Sequence, residues 1–140
     1  MDPEVTNLLN ALAEEGFNKW RDNTTDDQKA QGLEQLNKFK TDEEYRNTEI
    51  AEFTQRFNDA DANKDGVLNR DEYLVCNKAS EARELEKGNW AMNDDEYAGR
   101  FYAAANMITP ATDGITMADM MQAITVIMAK NDELKAAAGL

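Results

Sequence analysis

Histidine is absent from the 140 residues, which removes the usual general base and the commonest transition-metal ligand. Cysteine occurs once, as Cys76, so an intrachain disulfide is excluded and a reducing, cytoplasmic setting is expected. Long hydrophobic runs are missing too. The longest, AITVIMA at 123–129, is far too short to span a bilayer. The start, MDPEV, resembles neither a signal peptide nor a myristoylation site, and AAGL at the end is not a prenylation box. Positive charge is scarce: 15 bases face 28 acids, for a net charge of −13. That balance argues against nucleic acid or an anionic membrane as partner and favours cations, either metal ions or basic peptides.

What is present suits one globular domain, with 41% apolar and 31% charged residues and enough chain for a real core. Apolar residues recur at helical spacing almost throughout, and no alternating run suggests a strand, so the expected class is all-α. Val5, Leu8, Leu9 and Leu12, continued by Phe17 and Trp20, predict an amphipathic helix over residues 4–20. Thr25 with Gln28 forms a capping box before Ala30, Leu33, Leu36 and Phe39. Thr41 with Glu44 offers another, before Tyr45, Ile50, Phe53 and Phe57. A fourth helix starts near Arg70 and stops at KGN, where Gly88 can take a left-handed C-terminal conformation. Asn93 with Glu96 starts a fifth, and Thr116 with Asp119 a sixth that ends near Lys130.

No catalytic set stands out, and a non-enzymatic protein is expected. The glycines make no phosphate loop. Asp26–Asp27 and Asp94–Asp95 fall at helix starts, where the macrodipole accounts for them. Cys76 falls one turn after Glu72 on the inward side of its helix, the place of a buried thiol and not of a nucleophile.

The densest chemistry lies in DANKDGVLNRDE, residues 61–72. Side-chain oxygens stand at positions 1, 3, 5, 9 and 12 of the stretch (Asp61, Asn63, Asp65, Asn69 and Glu72), with Gly66 at position 6. A hard cation such as Ca²⁺ takes six to eight oxygens, and a tight turn with this spacing can supply them. Val67 would add its carbonyl, and Glu72 both carboxylate oxygens from the first turn of the next helix. Lys64, Arg70 and Asp71 fall at outward positions.

This stretch resembles the loop of the EF-hand family, in its ligand positions, Gly66, the apolar Leu68 at position 8, and the flanking Phe53, Phe57 and Tyr73. The resemblance implies a metal site of Asp61, Asn63, Asp65, Val67, Asn69 and Glu72, with one Ca²⁺ per chain and Mg²⁺ as competitor. It also implies a paired hand in contact at position 8. TPATDGITMADM, residues 109–120, has that frame without the ligands. Asp113 and Gly114 match positions 5 and 6, but positions 3, 9 and 12 fall on Ala111, Met117 and Met120, so this loop is expected to be metal-free. Ile115 suits position 8 better than Thr116, which leaves the register open.

The expected organisation is a helical pair at 1–40 packed on an EF-hand pair at 41–140. The first pair is either a vestigial hand or plain helical cover for the core. Met117, Met120, Met121 and Met128 share the last helix with Ile124 and Ile127, either as core or as an adaptable target surface. By resemblance, the expected function is a calcium-dependent sensor or adaptor gripping a basic, apolar amphipathic helix. A permanently docked structural subunit and a Ca²⁺ buffer are the alternatives.

Overall fold

The computed structural model describes residues 1–140 and contains six helices and no strand. They are α1 (Pro3–Asn23), α2 (Asp26–Thr41), α3 (Glu43–Ala60), α4 (Arg70–Glu86), α5 (Asp95–Asn106) and α6 (Met117–Ala137). None is long and apolar enough to cross a membrane.

Local chemistry sets most of the helix ends. The capping box of Thr25 and Gln28 opens α2, and that of Thr116 and Asp119 opens α6. A third box, Asn69 with Glu72, opens α4. Gly88 takes φ +82° just past the end of α4, and Asn89 N–H donates back to the Glu84 carbonyl at 2.9 Å. Two predicted starts move by one residue. Thr41 closes α2, its hydroxyl donating to the Asn37 carbonyl at 2.8 Å, and Asp42 caps α3 by accepting from Tyr45 N–H at 3.1 Å. Likewise Asp94, not Asn93, caps α5, accepting from Tyr97 N–H at 3.1 Å. In both cases a carboxylate, the stronger acceptor at a helix N-terminus, displaces its neighbour. The last helix does not stop near Lys130 but continues to Ala137. Glu, Leu, Lys and Ala propagate it, and Asp132 pairs with Lys40 of α2 at 2.7 Å.

One apolar cluster joins α1 to the later helices. Val5, Leu9 and Leu12 share it with Phe57, Tyr73, Phe101, Ile115 and Met120, and Tyr73 stacks on Phe101 with ring centroids 5.7 Å apart. The α1 helix lies mainly on α6 and also on α5. Polar bonds fix its position. The Tyr97 hydroxyl donates to the Leu12 carbonyl at 2.6 Å, and Arg100 forks onto Glu15 at 2.8 and 3.1 Å.

The α2 helix is attached differently. It has no fully buried residue and packs chiefly on α3. Side-chain amides hold it: Gln31 donates to the Lys87 carbonyl at 2.7 Å, and Asn89 donates to Gln35 at 2.6 Å.

Between α3 and α4, and between α5 and α6, the chain makes two loops that meet back to back. Leu68 and Ile115, both 0% exposed, exchange N–H···O bonds of 2.8 and 2.9 Å as a lone antiparallel bridge. This exchange fixes where the two loops stand relative to each other.

Candidate metal centre

The first loop is built from its ends inward. Asp61 caps the C-terminus of α3 and is 5% exposed, while Glu72 is the third residue of α4. Gly66, at φ +83°, makes the sharp turn that returns the chain toward α4. The residues between fold around their own side-chain oxygens. Asp61 accepts from the N–H groups of Gly66 at 2.9 Å and Asp65 at 3.3 Å. Asn63 accepts from Asp65 N–H at 3.4 Å, and Asp65 from Val67 N–H at 3.1 Å. Glu72 reaches both ways: Oε1 accepts from Asn69 N–H at 3.0 Å and Oε2 from Ala62 N–H at 2.8 Å.

This network brings one carboxylate oxygen each from Asp61, Asp65 and Glu72 within 4.8 Å of one another. No basic side chain pairs with them. Lys64 turns back to donate to the Asn58 carbonyl at 2.8 Å, and the Arg70 guanidinium lies against Gly99 of α5. The three acids are thus concentrated and left without a counter-charge. Each carboxylate oxygen has a second lone pair beyond the N–H it accepts, so the cluster retains capacity for a hard cation. Asn63 and Asn69 border it on the same loop. The Asn69 side chain accepts from Glu72 N–H at 2.9 Å.

The second loop follows a different plan and corrects the sequence register. Since Ile115 pairs with Leu68, Thr116 stands where Asn69 does, and the residue equivalent to Glu72 is Asp119, not Met120. Met120 is instead a core residue, 2% exposed. Gly114 does not share the role of Gly66 either. It lies at φ +127° with its Cα so close to the bridge that an added Cβ would sit 2.6 Å from the Leu68 carbonyl oxygen. Asp113, which matched position 5, is exposed. Asp119 is 2% exposed, has no second acid beside it, and accepts from the Thr109 hydroxyl at 2.6 Å and from Thr116 N–H at 3.1 Å. One acid satisfied by protein donors leaves this loop no comparable place for an ion.

Cys76 is 2% exposed, and burial pushes its thiol pKa up to about 11, so it has no nucleophilic character near neutral pH. Sequence reasoning missed a cavity of about 440 Å³ between α2 and α6, with Trp20 and Trp90 in its wall. Its walls come from α1, α2, α3, the end of α4 and α6, and from the segment around Asn89. No single helical stripe in the sequence announces it.

No protein-family model, curated protein or solved structure matches this chain.

Proposed function

We propose that residues 61–72 bind one Ca²⁺, with Mg²⁺ competing, and that ion occupancy regulates the grip of this protein on a partner helix. The convergence of Asp61, Asp65 and Glu72 with no basic partner carries the reading. Asp61, Asn63 and Asp65 would each give a side-chain oxygen, Val67 its carbonyl, Asn69 an oxygen directly or through water, and Glu72 its carboxylate. In this reading the two loops are an EF-hand-like pair, one charged and one sealed, coupled through Leu68 and Ile115. Glu72 caps α4, so an ion drawing on its carboxylate pulls on the first turn of that helix and, through the bridge, on the second loop.

The partner would be an apolar helix bearing basic residues, complementary to a net charge of −13. Its place of docking is the face that α2 covers. Met121, Ile124 and Met128 lie beneath α2, and α2 itself buries no residue fully. By contrast, α1 buries Val5, Leu9, Leu12, Ala13 and Phe17 and behaves as part of the core. That burial favours a second reading, in which the apolar face is permanently plugged and the protein is a structural subunit or a buffer.

Calorimetry tests the site. One Ca²⁺ per chain with a dissociation constant on the order of 10⁻⁷–10⁻⁵ M is expected. Absence of binding defeats the proposal. A hydrophobic dye then separates the two readings. A regulator raises dye binding on Ca²⁺ addition, and a basic amphipathic peptide competes with the dye. Ca²⁺ binding with neither response leaves the structural subunit or the buffer.

A further inference from the structure

We propose that the cavity between α2 and α6 binds one small amphiphile, an unbranched aliphatic chain ending in a carboxylate, with the carboxylate paired to Lys135. The inference does not depend on Ca²⁺ binding, because no residue of 61–72 or 109–119 lines this space, although Met121, Ile124 and Met128 also belong to the face proposed above for the partner helix.

At about 440 Å³ the cavity falls within the ~300–1,000 Å³ usual for small-ligand sites. Leu36 and Phe39 of α2 face Phe53 of α3 and Ile124 and Met128 of α6 across it. Such a wall favours an apolar occupant. Methionine side chains adapt to a flexible chain, and much of the polar wall is already engaged: Asn89 donates to Gln35 and Glu84, and Gln28 accepts from Thr25 N–H.

Charge decides which end group the cavity takes. Two lysines line it, in different states. Lys87 is committed, its ammonium 2.9 Å from Glu49 and 3.2 Å from Glu84. Lys135 is half-buried, and its ammonium lies over the Trp20 ring at 5.2 Å and makes neither an ion pair nor a hydrogen bond. The acid one turn before it, Asp132, is taken by Lys40 at 2.7 Å. Burial accordingly holds the Lys135 pKa below its ordinary value, with Asp132 opposing that effect and Lys40 adding to it. A carboxylate arriving at the end of an apolar tail supplies the missing counter-charge. The two acids in the wall, Glu49 and Glu84, are already paired with Lys87, so they offer no competing site for a cationic head. The net charge of −13 repels an anion at long range, so recognition rests on this short-range pair and on burial of the tail.

Both tryptophans of the chain line the cavity, so intrinsic fluorescence reads it directly. Laurate is titrated below its micellar range into the full chain in EDTA, so that the outcome does not depend on Ca²⁺. The expected result is a saturable change at one laurate per chain, with dodecyltrimethylammonium at least about tenfold weaker. Lys135→Met weakens laurate about tenfold and leaves neutral dodecanol unchanged, because only the carboxylate loses a partner. Ile124→Trp, which fills the cavity, abolishes binding of both. Three results overturn the proposal: no saturable change with laurate, equal binding of the cationic and anionic amphiphiles, or an unaltered laurate affinity in Lys135→Met. Should Ile124→Trp fail to fold, the Lys135→Met comparison of laurate with dodecanol still decides, since that side chain is only half-buried.

Discussion

The two loops occupy equivalent places in the fold and solve opposite electrostatic problems. Residues 61–72 gather Asp61, Asp65 and Glu72 and satisfy them with backbone N–H groups alone, so three negative charges face one another uncompensated. Residues 109–119 gather one buried acid, Asp119, and seal it with a side-chain hydroxyl and a cap. Both acids close a capping box at the start of a helix, yet Glu72 reaches back to a backbone amide and Asp119 to Thr109. A loop finished by its own hydrogen bonds serves as a strut, whereas the loop with surplus charge is the one that, in the proposed reading, a cation would complete.

Substitutions can break that contrast, and the largest effect is expected at Glu72. Glu72→Gln should weaken Ca²⁺ binding roughly 100-fold or more by calorimetry, since it removes a charge from the ligand set. Apo helix content by circular dichroism should hardly change. Asp119→Asn should leave Ca²⁺ affinity where it was. If the two variants exchange these outcomes, the assignment of charged and sealed loops is reversed.

Next in size is a glycine comparison. Gly114→Ala should cost about 3 kcal/mol in denaturant unfolding, the upper end for a strained backbone, because its Cβ would meet the Leu68 carbonyl oxygen at 2.6 Å. Gly66→Ala meets no atom within 4 Å and is disfavoured only by φ +83°, so about 1 kcal/mol is expected. Equal losses would mean that the bridge is not the tight point of the structure.

Between these lies Thr109→Val. It removes the hydroxyl that Asp119 holds at 2.6 Å and leaves a buried carboxylate oxygen without its donor. A loss of about 2 kcal/mol is expected, with Ca²⁺ affinity unaltered. A stability equal to that of the unsubstituted protein would refute the sealed-loop description.

Much of this is legible in the sequence. Helical periodicity gave the six helices, and local pairs such as Thr25–Gln28 and Thr116–Asp119 gave their starts, because caps depend on residues three apart. The acid spacing in 61–72 likewise anticipated the side chains that converge. The register of the second loop was not legible. Matching Asp113–Gly114 to Asp65–Gly66 is a local comparison, whereas the true alignment is set across the molecule by the bridge of Ile115 to Leu68. Ile115, apolar and next to the Thr116 cap, was the one available signal. The start of α3 and the end of α6 differ from the sequence reading for a related reason. Asp42 competes with Thr41 for the cap, and contacts of Lys40 and Trp20 with Asp132 and Lys135 lie beyond any local window.

The packing of α1 on α6 also governs how the chain reaches its native state. This is the most extensive helix–helix contact in the molecule, and all of α2 to α5 lies between its partners in sequence. During synthesis, Val5, Leu9 and Leu12 emerge long before α5 and α6, the helices on which α1 packs. The nascent chain therefore carries an exposed apolar stripe while α2 to α4 are made, an aggregation-prone interval suited to chaperone capture. Native packing of α1 requires closure of this long loop, a non-local contact that carries an entropic cost.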